Sequence, residues 1–168
     1  KYQLSIAMEQ TKEELANIFT EYEKISGRAY ASVEGYRYED AEVILFILGS
    51  SYETAKVAVD KLRQNGKKAG AVCIHSLRPL CREEMYSCLK NANVIVSADR
   101  QDSYGADGGN MSMELKACLK DFDCRTRVIT KIYGLGGLEL YPEDAEKMLL
   151  DGFNSGSVRS FEYYGIYR

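Results

Sequence analysis

Four apolar runs recur along the chain: EVILFILG at 42–49, KAGAVCIHSLRPL at 68–80, NVIVSAD at 93–99 and TRVITKIYG at 126–134, each separated from the next by a segment of helical periodicity. A strand that alternates apolar and polar residues has one wet face, whereas a strand that is apolar throughout is covered on both. Covered strands alternating with helices require an α/β three-layer sandwich, a mainly parallel sheet whose right-handed crossovers place helices on both faces.

The intervening segments carry helix signals. Ser50 and Glu53 predict a capping box, and Ala55, Ala58, Val59 and Leu62 stripe a helix that stops at Gly66. REEMYSCLKNA places Met85, Cys88 and Leu89 on one face, and the next helix carries Leu115, Cys118 and Leu119. Pro142, followed by Glu143 and Asp144, suits the first turn of a last helix. Ahead of these units, Thr11 with Glu14 predicts a helix over 11–25, with Leu15, Ile18, Phe19 and Tyr22 on its apolar face and Gly27 at its end. In residues 29–36, Tyr30, Ser32, Glu34 and Tyr36 alternate with Ala29, Ala31 and Val33, the pattern of a strand with one polar side at a sheet edge. The tail SGSVRSFEYYGIYR has no period and reads as an arm. The chain thus divides into a helical lead-in (1–27), an α/β domain (28–153) and a C-terminal arm (154–168).

A hydrophobic content of 45% with 28% charged residues fits a folded soluble protein, and a net charge of −3 argues against a nucleic-acid surface. No apolar run reaches the roughly 18–20 residues that span a bilayer, so no membrane partner is expected. Five cysteines, Cys73, Cys81, Cys88, Cys118 and Cys124, with no CxxC pair, fit reduced thiols of a cytoplasmic protein rather than disulfides or an iron–sulfur cluster.

Three glycine turns follow strands and are candidate ligand sites. ADRQDSYGADGGN, at 98–110, offers Gly105, Gly108 and Gly109, which match neither the dinucleotide GxGxxG nor a phosphate loop, because Asn110-Met111 stands where GK[ST] is needed. Asp99, Asp102 and Asp107 would repel phosphate and follow no calcium-loop spacing. The reading is a strand-to-helix turn in which Arg100, Asp102 and Ser103 order the loop or meet a neighbouring domain. Gly49, Ser50 and Ser51 form the second turn, where the serines cap a helix or hold an anion. YGLGG, at 133–137, is the third. His75, the only histidine, has no placed nucleophile, and no metal-ligand cluster exists. The residues therefore give a complete core without a self-sufficient active site: no catalytic residue and no metal ligand.

GRAYASVEGYRYEDAEVILFILGSSYETAK, LRQNGKKAG, the Arg78-Pro79 pair, DRQDSYGADGG and YGLGG occur in an order and spacing that resembles the second domain of the 2-oxoacid:ferredoxin oxidoreductases, the pyruvate synthase α subunit in particular. Leu138 stands where that family usually carries an arginine. The resemblance implies a transketolase C-terminal-like fold, a five-stranded mixed sheet with the first strand antiparallel at an edge. It implies a parent enzyme that oxidatively decarboxylates pyruvate or a related 2-oxoacid with coenzyme A to acyl-CoA and CO2, reducing ferredoxin. Thiamine diphosphate, magnesium (Mg2+) and iron–sulfur clusters would then sit on partner thiamine-binding domains and a ferredoxin-like subunit, leaving this domain a structural role in assembly. The alternatives are the C-terminal domain of a transketolase or E1-type enzyme, and a free-standing α/β small-molecule binder.

Overall fold

The computed structural model describes residues 1–165. Its strands are β1 (Val33–Tyr36), β2 (Val43–Ile47), β3 (Ala69–Ile74), β4 (Val94–Asp99), β5 (Arg127–Ile132) and β6 (Phe161–Tyr163). Its helices are α1 (Tyr2–Ser26), α2 (Ser51–Gln64), α3 (Arg82–Leu89), α4 (Asn110–Asp121) and α5 (Pro142–Phe153). The sheet order is β1-β3-β2-β4-β5-β6, with β1 antiparallel to β3 at one edge and every other pair parallel.

The apolar strands alternate between two cores. Val43, Leu45 and Ile47 of β2 join Val96 of β4 beneath α2 and α5, whereas Ile44, Phe46 and Ile95 face Met85 of α3 and Leu115 of α4. The cysteines belong to these cores: Cys73 lies under α2, and Cys81 and Cys118 lie on the other face. Burial pushes the Cys73 thiol up to about 11, which keeps it protonated and inert.

The sheet has six strands rather than five. The sixth comes from the tail: Phe161, Glu162 and Tyr163 pair with Thr130, Lys131 and Ile132 of β5. The expected arm therefore contributes a strand to the sheet, while its last three residues, 166–168, lie outside the described residues. The β2-to-β3 and β5-to-β6 connections cross the same sheet face but step in opposite directions, so their hands differ. A preference for right-handed crossovers does not lead to β6.

Two helix starts also differ from expectation. Thr11 lies inside α1, its hydroxyl donating to the Ala7 carbonyl at 2.7 Å, so the helix begins well before the Thr11–Glu14 pair. Its end is as read, at Gly27 with φ of 69°. At α2 it is the Ser50 carbonyl that accepts the Glu53 N–H, at 3.1 Å, and no side chain caps the helix.

Candidate functional site

The sheet order reverses at β2, whose neighbours β3 and β4 are reached by connections that run away on opposite sides. In open α/β sheets that reversal leaves a crevice at the carboxyl ends of the strands. A cleft of about 510 Å³ lies there, between Gly49 after β2, Asp99 and Arg100 at the end of β4, Arg78, Met111 of α4 and Tyr133 after β5. Arg78 is held on its wall by Glu114, with N and O 2.5 Å apart.

Asp99 is buried, and its chemistry is structural. One carboxylate oxygen accepts the Ser112 N–H at 3.0 Å and the Ser112 hydroxyl at 2.7 Å, and the Ser97 hydroxyl donates to Ser112 Oγ at 2.9 Å. Ser112 is the third residue of α4, so a strand residue caps the helix in place of a local side chain. That approach explains the glycines. A Cβ on Gly109 would stand 2.5 Å from Asp99 Cβ and 2.4 Å from the Gln101 carbonyl oxygen, and one on Gly108 would stand 2.9 Å from Thr130.

The loop after β4 is tied to its neighbours. Arg100 donates to the Leu138 carbonyl at 3.3 Å and sits over the Tyr133 ring, 5.9 Å from its centroid. Gly134, with φ of 66°, has no room for a side chain beside Arg100, since a Cβ would lie 2.7 Å from Arg100 Nε. Position 138 thus meets Arg100 through its backbone, and the Leu138 side chain faces solvent. Asp102 accepts a hydrogen bond from the Tyr163 hydroxyl, which ties the loop to β6 and raises the Tyr163 phenol. The Ser103 carbonyl closes a turn with the Ala106 N–H at 2.8 Å.

Of the residues singled out in sequence, the cleft brings together Gly49, Arg78, Asp99 and Arg100. Ser50 is exposed at the start of α2, Ser51 is buried beneath it, and Asp102 and Ser103 lie on the loop outside the cleft. Sequence reasoning missed the Asp99–Ser112 cap, which joins residues of two elements. It also missed Lys131, although a lone charge inside an apolar strand is a readable signal. Lys131 is fully buried and donates to Asp151 of α5 at 2.6 Å and to Glu162 of β6.

A second polar cluster lies at the β1 edge. Glu34 accepts from Lys56 at 3.1 Å and lies 3.2 Å from His75 Nε2, while the Tyr30 ring packs edge-on to His75. Burial alone would raise the Glu34 carboxyl, but the Lys56 and His75 hydrogen bonds outweigh it and hold the group below its ordinary 4.5. A carboxyl that titrates lower when folded stabilises the fold above its unfolded value, and that contribution disappears as pH falls through the folded value. Glu34→Gln is therefore expected to cost about 0.5 kcal/mol at neutral pH, a figure discounted for partial exposure. Urea titrations of both proteins should converge as the pH falls through and below the lowered folded value of Glu34.

Beside this cluster the Tyr52 hydroxyl is buried with no hydrogen-bond partner among the described residues, and Lys56 Nζ lies 4.4 Å from its ring centroid. Burial raises this phenol far above its ordinary value. Removing an unsatisfied buried hydroxyl relieves its desolvation cost, so Tyr52→Phe should stabilise the protein by about 1 kcal/mol. The expected readout is a melting midpoint raised by roughly 2–4 °C. A lower midpoint would show that the hydroxyl has a partner in solution.

The strand-end residues do not fit a thiamine diphosphate–magnesium site. The Asp99 carboxylate is committed to Ser112, Gly108 and Gly109 are pressed against β5 and β4, and the remaining loop acids oppose a diphosphate. Among the described residues no group of three His, Cys, Asp or Glu side chains is placed to hold a metal ion.

Residues 41–145 match the family described as pyruvate:ferredoxin oxidoreductase core domain II. The chain belongs to that family. Its relatives include the pyruvate synthase subunit PorA of Thermotoga maritima, 35% identical over 158 residues, covering 94% of this chain and 40% of that protein. The ketoisovalerate oxidoreductase subunit VorA of Pyrococcus abyssi is 30% identical, covering 100% of this chain and 44% of that protein. The chain thus spans about two fifths of the length of these curated relatives. Among solved structures, a split-gene transketolase in an inactive β4 tetramer aligns with a TM-score of 0.55 at 18% identity, over 76% of this chain and 43% of that one. The 2-oxoglutarate:ferredoxin oxidoreductase from Magnetococcus marinus aligns at 0.54 and 18%, over 73% of this chain and 20% of that one. At such identities the structural likeness establishes the fold, an α/β sandwich with transketolase-like neighbours. No helix among the described residues is long and apolar enough to cross a membrane.

Proposed function

We propose that this core domain II is a structural and assembly domain of a 2-oxoacid:ferredoxin oxidoreductase of the pyruvate synthase type. The parent enzyme oxidatively decarboxylates pyruvate or a related 2-oxoacid with coenzyme A, giving acyl-CoA and CO2 and reducing ferredoxin. Thiamine diphosphate, magnesium and the iron–sulfur clusters are carried by partner domains or subunits, with this domain packed against the thiamine-binding part.

One observation carries the assembly role. Asp99, Arg100 and Asp102 of the strand-end rim are hydrogen-bonded within the chain, and around them Leu77, Tyr104, Leu138, Tyr141 and Tyr163 are exposed to solvent. Large side chains clustered around a pre-ordered rim form a protein-docking surface rather than a reaction centre. The family match supports the choice of enzyme.

The test has two arms. Calorimetric titration of the chain with thiamine diphosphate and magnesium should show no binding, whereas tight binding would overturn the structural role. Combined with thiamine-binding and iron–sulfur subunits of a pyruvate synthase, the chain should enter a complex that reduces ferredoxin with pyruvate and coenzyme A. A Leu138→Asp/Tyr141→Ser variant should enter it at least tenfold more weakly. Full assembly of that variant would remove the rim from the interface.

A further inference from the structure

α1 is the longest helix of the chain, yet none of its residues is buried. Two apolar stripes run side by side along it. Met8, Leu15 and Phe19 are half-buried against the chain that follows, near Pro79 and Leu80 at one end and Tyr30 and Cys81 at the other. The second stripe is open to solvent at Ile18 and Ile25, one heptad apart and 55% and 85% exposed. Leu4 beside Pro79 and Leu80, and Tyr22 edge-on to Tyr30 at 5.4 Å, mark the seam between the two stripes. Ile18 and Tyr22 belong to the apolar face expected from the sequence, so that face is wider than the surface covering it. Glu14 and Glu21 border the outer stripe, and neither has an ion-pair partner among the described residues.

A helix in a folded protein draws most of its stability from burying an apolar face. α1 is secured along only one edge of its own. Its first turns, at Leu4 and Met8, border Arg78 and Glu114, which also wall the strand-end cleft, so α1 adjoins the rim assigned above to assembly. The relatives run to more than twice the length of this chain, which supplies protein to cover it.

We propose that the outer stripe of α1 is a docking surface for the remainder of the same subunit, met there by an apolar patch with a basic rim. Ile18 and Ile25 fill the patch, and Glu14 and Glu21 face its cations. The proposal rests on the functional reading above in taking the subunit to be that of a 2-oxoacid oxidoreductase.

A photo-reactive benzoylphenylalanine placed at Ile25 of the full-length subunit in its enzyme should cross-link to a peptide outside these 168 residues. Amide exchange over 14–26 should be at least tenfold slower in the enzyme than in the 168-residue chain. Glu14→Lys/Glu21→Lys, which touches no buried group, should speed that exchange at least threefold in the enzyme. Cross-linking to a second copy of α1, or fast exchange over 14–26 in an enzyme active on 2-oxoacids, would overturn the docking alone. A protected and cross-linked α1 in an enzyme without 2-oxoacid activity would support the docking and overturn the functional reading instead.

Discussion

Gly109→Ala is expected to destabilise the fold by about 3 kcal/mol, combining overpacking with loss of a buried cap. The corresponding fall in melting midpoint is roughly 6–12 °C. At φ of −76° the backbone of Gly109 accepts any residue, so conformational strain plays no part. The cost comes from space: the new Cβ would lie 2.4 Å from the Gln101 carbonyl oxygen and 2.5 Å from both Asp99 Cβ and the oxygen that caps α4. Main-chain atoms cannot rotate aside, so either the loop lifts or α4 retreats from β4, and both break the Asp99–Ser112 bonds. Gly105→Ala is the control. There φ is 81° and nothing lies within 4 Å, so only the left-handed backbone is penalised, at about 1 kcal/mol. Equal costs for the two variants in urea denaturation would show that the 100–109 loop yields freely and that the close approach is not needed.

The second large effect is expected at Lys131. Lys131→Ala removes a fully buried ammonium and its stem, leaving Asp151 and Glu162 facing each other without a cation. Breaking a buried ion pair costs about 3–5 kcal/mol, and the partial exposure of both carboxylates points to the lower end, about 3 kcal/mol. Lys131→Met keeps the apolar volume and should cost about half as much. Because Glu162 lies on β6, hydrogen exchange should rise at 161–164 before the rest of the sheet responds. Adding Glu162→Gln to Lys131→Met should recover part of the loss by removing one of the repelling charges. Wild-type stability for Lys131→Met would mean that the buried charge contributes nothing to holding β6.

The four βα units were legible because covered strands leave unbroken apolar runs and helices leave a 3.6-residue stripe, both imprinted locally. The start of α1 was not, because Thr11 and Glu14 have the spacing of a capping box wherever they occur, and only the preceding turns decide whether they begin a helix. β6 escaped for a similar reason. Three residues carry no period, and Phe161–Tyr163 becomes a strand through pairing with β5 and through Lys131 holding Glu162. At the strand ends, sequence named Arg100 and the glycines but not their partners. Leu138 shows why: its side chain departs from the family pattern, while its carbonyl is what Arg100 meets.

Residue type and spacing along the chain determined the α/β sandwich, the edge strand and the absence of a nucleotide fingerprint. The resemblance of the ordered motifs to a known family supplied the family and the antiparallel direction of that edge strand. Tertiary structure decided what the DRQDSYGADGG loop is for. Gly109 and Gly108 let the start of α4 close on β4 and β5, Asp99 caps that helix, Arg100 meets the 134–138 turn and Asp102 meets β6. Those partners lie between 13 and 61 residues away, and no local pattern encodes a contact whose other half is supplied by a different element.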